Sequence, residues 1–326
     1  MGRVTCRLLI VVALLTTAVV SRSSGLGAAQ PSGVSLSALW EAPADLHARD
    51  LFNGPWGAAN APDPRATYTF LRAKEGGVSP GVVVRDPRGR VWHVKQPIEG
   101  KRGAEGPVEV TVSRVLSAVG FHQPPVYFLP SFTMTDSHGT HLEAGGRFRL
   151  DEPSLKARGN WRFQENPFVG MREYRGLIVI LLMFNSFDLR SANNTLYEID
   201  RGGRIDQWYV VRDLGGALGS SARMFVRRNN LERFERHEWI RNVKDGVVEF
   251  QYGGWNSELV RGISVDDLRW ACELVGGLTE RQWEDAFRAG GYPPDVARRF
   301  IYRLRARIDE GRKIGGGQWR EARRDR

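Results

Sequence analysis

Residues 177–184 read L-I-V-I-L-L-M-F, an unbroken apolar run inside a helix predicted over 172–187. A surface helix carries one apolar stripe; a helix that is apolar on every side must be enclosed on every side. The chain therefore has to build a layer of other elements around this segment. The helix also delivers the backbone, at a fixed point, to Asp188. The next 28 residues, 188–215, read D-L-R-S-A-N-N-T-L-Y-E-I-D-R-G-G-R-I-D-Q-W-Y-V-V-R-D-L-G. Asn193 follows Asp188 by five positions, a hairpin-like segment leads to an apolar strand (Tyr209, Val210, Val211), and Asp213-Leu214-Gly215 closes the stretch.

The rest of the 326-residue chain divides by pattern, and its length allows one large or two modest domains. Arg3 and Arg7 precede an apolar run, 8–20, and a small-residue stretch ends at Ala29. That order predicts a secretory signal over 1–29, cut after Ala29. The run is shorter than the roughly 20 residues of a membrane-spanning helix, and no span is expected after cleavage. The mature chain then keeps only Cys272, so no internal disulfide is expected. Residues 30–66 form an extended lead-in carrying Trp40, Phe52 and Trp56, with a short helix over 35–40.

From Thr67 the period becomes two. Strands are predicted over 67–73, 82–85 and 90–96, the last with Val91, His93 and Lys95 on one face and Trp92 and Val94 on the other. Glycine turn 76–81 joins the first two and Asp86-Pro87-Arg88-Gly89 the next pair. A helix over 107–119 has Pro at its start and Gly120 at its end. Further strands are expected at 124–129 and 145–150 with polar loop between them. Later come a short strand over 247–252, helices opened by Ser264 and Thr279, and a last helix from Pro294 to about Lys313. The tail 315–326 reads as disordered and basic.

The formal charge is +10, of which +3 lies in the signal and +7 in the stretch from Arg288 onward. The basicity thus belongs to the last helix and tail, where it fits an anionic surface or a solvated helix face; nucleic acid is not the expected partner.

Taken singly, each polar residue has a structural role as well as a chemical one. Lys95 ends an alternating strand, where it can reach solvent or be held by a carboxylate. Glu109 lies in the first turn of a helix, favoured there by the dipole alone; it can pair with Lys95, with Glu105 as the alternative partner. Gly76, Gly77 and Gly81 can form a plain turn or present free N–H groups to phosphates. Asp188 and Asn193 can serve a polar turn. Together they equip phosphoryl transfer: an acid that orients a hydroxyl, plus Asn193 and Asp213 as oxygen ligands for a nucleotide-bound Mg²⁺. Residues 160–174, aromatic and polar, are either a substrate-contacting or a packed loop.

In Val94-Lys95, Glu109, Asp188-x4-Asn193 and Asp213-Leu214-Gly215, in that order after a glycine turn, the chain resembles the atypical forms of the protein-kinase-like fold: HipA-type, phosphoinositide and secretory-pathway kinases. The resemblance implies an α+β, two-lobed molecule. A small β-rich N-lobe with one helix would span 67–150 and a mainly helical C-lobe 151–314. It implies ATP with Mg²⁺ or Mn²⁺, Lys95 on the α/β-phosphates and held by Glu109, Asp188 as the catalytic acid/base residue, and Asn193 and Asp213 as metal ligands. Ser186-Phe187 stands where His-Arg precedes the Asp in typical protein kinases, Leu214 replaces the usual Phe, and G-x-G-x-x-G and A-P-E motifs are missing. The expected activity is an exported, periplasmic or extracellular phosphotransferase whose acceptor is protein, lipid or small molecule. Two alternatives stand beside it: a catalytically inactive nucleotide- or partner-binding protein of the same fold, and a binder of anionic surfaces or nucleic acid through the basic C-terminal helix.

Overall fold

Alternating apolar residues with tight turns between them build the first sheet. A computed structural model of the chain describes residues 33–76, 79–99, 103–221 and 228–314. The signal expected over 1–29, Gly77 and the tail expected over 315–326 lie outside the described residues. The lead-in contributes single turns of 3-10 helix at Leu36–Ala38 and Ala58–Asn60.

Strands β1 (Thr67–Ala73), β2 (Gly81–Arg85) and β3 (Val91–Lys95) run antiparallel in sequence order. The β2–β3 turn is fixed by Asp86, whose carboxylate accepts hydrogen bonds from the backbone N–H groups of Arg88 and Arg90 and from the Trp92 indole. The polar loop expected between 129 and 145 is not a loop. Val126–Asp136 (β4) and Gly139–Leu150 (β5) form one long hairpin. Phe132 and Met134 point inward while Ser131, Thr133 and Thr135 point out, an alternation that Pro130 and the polar residues hide in the sequence. Pro130 is tolerated because β1 pairs with β4 only from Thr133 to Thr135, in parallel, so the missing N–H leaves no gap in a ladder. That pairing closes the five strands into a barrel, in the order β1-β2-β3-β5-β4. Its interior is filled by Tyr68, Trp92, Val94, Phe132 and Phe148 with their neighbours.

Helix α1 (Glu105–Ala118) starts two residues before the expected Pro107 and packs between the β4–β5 hairpin and a later helix. The remaining chain adds strand β6 (Leu155–Gly159), which the sequence reading missed, and helix α2 (Arg172–Met183). Strands β7 (Asn194–Asp200) and β8 (Ile205–Val211) make the expected hairpin and pair with β6 in a three-stranded sheet. A short helix α3 (Leu231–Arg236) precedes a second missed element, β9 (Ile240–Lys244), which pairs with β10 (Val247–Phe250). Helices α4 (Val265–Gly276) and α5 (Glu280–Ala289) both open on capping boxes, Ser264 with Asp267 and Thr279 with Gln282, and α6 (Pro294–Ile314) ends the described chain. Residues 177–184 of α2 and its end are almost wholly buried. Helix α2 packs on α4, and α4 on α6. The architecture is α+β.

A fully buried Arg307 on α6 donates to the carbonyls of Met183, Phe234 and His237, tying the end of α2 to the end of α3. His237 donates to or accepts from the Ser221 hydroxyl at 2.8 Å, and its other ring nitrogen is buried without a partner. Burial first, then the charges of Arg307 and Arg303, push its imidazole down to about 4. The ring is neutral in the fold and takes up a proton at about 6.5 once unfolded. Its contribution is therefore complete above pH 6.5 and is lost as the pH falls towards 4, by at most about 1.4 kcal/mol per unit. Urea unfolding at pH 7, 6 and 5 is expected to show a shallower loss of stability in His237→Gln than in the parent chain. Parallel losses would remove His237 as the cause.

Candidate functional site

Two distant parts of the sequence meet over one cleft of about 940 Å³. Its lining includes Gly76, Lys95, Glu105 and Glu109 from the first half, and Asp188, Asn193 and Asp213 from the second.

Lys95 is the centre. It ends β3 facing away from the barrel core, and its ammonium is buried, 8% exposed as a side chain. An ammonium so placed must be paired, and three carboxylates surround it. Glu105 Oε2 lies at 2.6 Å, Asp213 Oδ1 is in close contact, and Glu109 Oε2 is more distant at 3.5 Å. The expected Lys95–Glu109 pair is thus present but is the weakest of the three. Glu109 turns its other oxygen to Arg147, 2.9 Å away. Glu105, the alternative in the sequence reading, is the nearer α1 carboxylate, and it is fixed in turn by Ser79, whose hydroxyl donates at 3.0 Å, and by Arg228.

Asp213 follows β8 in a left-handed backbone conformation, φ +55°, which Asp tolerates better than most side chains. Burial would raise its carboxyl, but Lys95, Arg147 and Arg212 outweigh that and hold it below the usual carboxylate range. The Leu214-Gly215-Gly216 sequence that follows has a steric reason. A side chain at Gly215 would meet Glu105 Cβ at 2.6 Å, and one at Gly216 would meet Asp188 Cβ at 3.2 Å. These glycines let Asp213 lie between the start of α1 and the loop after α2.

Asp188 is held through its neighbour: the Phe187 carbonyl accepts from Trp255 N–H at 2.8 Å and from the Tyr252 hydroxyl at 3.1 Å. Its carboxylate pairs with Arg190, Nη2 to Oδ2 2.7 Å. The Asn193 amide donates to the Asp188 carbonyl at 3.1 Å, and its amide oxygen accepts no hydrogen bond among the described residues. Asn193 O in turn accepts from Arg212 N–H, so the loop is stitched to the end of β8 beside Asp213.

Among the described residues no group of three or more His, Cys, Asp or Glu side chains could hold a metal. One carboxylate and one amide oxygen, Asp213 and Asn193, do suit a hard divalent ion that takes its remaining ligands from phosphates and water. Of the turn glycines, Gly76 lines the cleft with φ +71°. Gly81 instead sits in β2 opposite Lys95, where a side chain would run into the Val94 carbonyl. In 160–174 the aromatic rings of Trp161, Phe163, Phe168 and Tyr174 are buried in the core, so this segment is the packed loop. Arg147, Arg190 and Arg228 were not singled out from sequence; alternation with the inward Phe148 was the available signal for Arg147.

The two α1 carboxylates are separable by double-mutant cycles in urea unfolding. Lys95→Met with Glu105→Gln is expected to show a coupling of about 1–3 kcal/mol, larger than that of Lys95→Met with Glu109→Gln. A larger coupling for Glu109 would contradict the geometry.

No protein-family model matches the sequence, and no curated protein matches it. Among solved structures the chain is similar to the Helicobacter pylori proinflammatory kinase CtkA, with 10% identity over 77% of this chain and 95% of that one, at a TM-score of 0.40. It is also similar to the Golgi casein kinase, with 10% identity over 79% of this chain and 75% of that one at a TM-score of 0.38. The same kinase with Mn/ADP bound matches at 10% identity and a TM-score of 0.37, over 76% and 72% of the two chains.

Proposed function

We propose that the chain is an ATP-dependent phosphotransferase of atypical kinase type, using Mg²⁺ or Mn²⁺. The observation that carries this is one buried lysine surrounded by Glu105, Glu109 and Asp213, in the same cleft as Asp188 and Asn193. The barrel part, 67–150, serves as the smaller lobe and 151–314 as the larger. Export directed by the stretch around Arg3, Arg7 and residues 8–20 belongs to the same reading.

In this reading Lys95 donates to the phosphate oxygens of the nucleotide, and the α1 carboxylates keep its ammonium oriented. Asn193 and Asp213 hold the metal, which supplies charge neutralisation for the transferred group. Asp188 accepts a hydrogen bond from the acceptor hydroxyl and receives its proton. Arg190 engages both oxygens of Asp188 in the structure, so one of these two bonds opens when the acceptor hydroxyl binds. The acceptor is a protein, lipid or small-molecule hydroxyl.

The inactive-binder alternative has one observation in its favour: Arg190 engages both oxygens of Asp188. The surface-binding alternative has less support, because α6 commits Arg299, Arg305 and Arg312 to pairs with Glu235, Glu280 and Asp309, and Arg307 to buried carbonyls.

The test is stepwise. ATP with Mg²⁺ or Mn²⁺ is expected to raise the melting temperature of the parent chain and barely move that of Asp213→Ala. Labelled phosphate from [γ-³²P]ATP is then expected to reach an acceptor, or the chain itself, and to fall by at least about a hundredfold in Asp188→Ala. No thermal shift with either metal would sink the nucleotide reading. A shift without transfer would select the inactive binder.

A further inference from the structure

The cleft holds a second concentration of charge that phosphoryl transfer at Lys95 does not use. Strands β3 and β5 pair with Lys95 opposite Arg147 and His93 opposite Arg149. Alternation turns these four side chains away from the barrel core, which takes Trp92, Val94, Phe148 and Leu150 instead. All four line the cleft, and Arg212 joins them from the end of β8.

The positive charges are not equally answered. Lys95 has its three carboxylates, and Arg147 has Glu109. Arg149 and Arg212 form no ion pair among the described residues. The Arg212 side chain donates to the Tyr197 hydroxyl at 2.7 Å, acts on the Asp213 carboxylate only at longer range, and has a buried Nε without a hydrogen-bond partner. Burial first, then the charges of Arg212 and Arg147, pull the Arg149 guanidinium down to about 10. Burial and Arg149 likewise push His93 down to about 4, so at neutral pH its ring is uncharged and keeps one N–H to donate. Gathering like charges out of water is unfavourable unless an anion joins them.

We propose that Arg149 and Arg212, with His93 beside Arg149, form a second anion-binding subsite in the cleft that takes a phosphate- or sulfate-type oxyanion. Guanidinium groups offer paired N–H donors that match two oxygens of such a group. The subsite shares one cleft with Lys95, so a ligand that fills both carries anionic groups at two ends. It needs neither Asp188 nor a metal, and so stands apart from the nucleotide reading.

The probe is inorganic phosphate, titrated calorimetrically into the full chain at an ionic strength fixed with chloride. Arg149→Met and Arg212→Met are each expected to weaken binding by about tenfold or more, and Arg298→Met, at an exposed position outside the cleft, to leave it close to the parent value. Since either arginine variant can disturb packing, the parent chain provides a second readout. Phosphate is expected to slow phenylglyoxal modification of Arg149 and Arg212, mapped by mass spectrometry, and to leave the exposed Arg298 unchanged. Pyrophosphate then separates a bridging polyanion, whose affinity also depends on Lys95, from a single ion; both occupy the subsite. Protection in a chain that takes no ATP supports the subsite and counts against the nucleotide reading alone. Absence of protection at both arginines overturns it, as does phosphate binding that stays intact in both arginine variants.

Discussion

The Lys95 ammonium and the carboxylates around it hold the site together. Glu105 and Glu109 come from α1, Asp213 from the turn after β8, and Lys95 from the barrel. A buried ammonium without partners would be costly, and so would three carboxylates without a cation. Each group therefore makes the others tolerable, and the barrel, α1 and the end of β8 are bound to one arrangement. The surroundings are fitted to that centre: Ser79 and Arg228 hold Glu105, Arg147 holds Glu109, and Gly215 and Gly216 let backbone and carboxylates approach.

The same arrangement suits a polyanion that arrives with a divalent metal. Under the proposed function, phosphate oxygens would replace a carboxylate in the shell of Lys95, and a metal would take the charge of the displaced Asp213. Asp188 is set on a different support, the end of an enclosed helix and the Phe187 carbonyl gripped by Tyr252 and Trp255. The residue assigned to proton transfer is held by hydrogen bonds to its backbone and by Arg190, while the residues assigned to charge are held by one another.

Much of this was legible in the sequence, and for physical reasons. The enclosed α2, the two capping boxes, the β7–β8 hairpin and the first three strands carry strong local patterns. The order and spacing of Lys95, Asp188, Asn193 and Asp213 set them apart as candidates, and the structure brings all four to one cleft. The β4–β5 hairpin was missed because Pro130 and a run of polar residues conceal an alternation that only the barrel interior reads. Strands β6 and β9 were missed for a related cause: both are short and largely exposed, so their partners define them and their side chains do not. The sequence pattern puts Glu109 ahead of Glu105 as the partner of Lys95, and the structure reverses that order, because the placement of α1 on the barrel brings Glu105 nearer. Nothing in the sequence singles out Arg149 or Arg212; the register of β3 and β5 sets Arg149 on the cleft face.

The central claim is that Asp213 and Asn193 bind a divalent ion only together with nucleotide phosphates, beside Lys95. Electron paramagnetic resonance of free Mn²⁺ reads this directly, because bound ion leaves the sharp six-line signal. Little Mn²⁺ uptake is expected by the chain alone, uptake close to one ion per chain when ADP is added beyond what ADP takes in buffer, and loss of that increment in Asp213→Asn. Equal uptake by the parent chain and Asp213→Asn in the presence of ADP would contradict that claim.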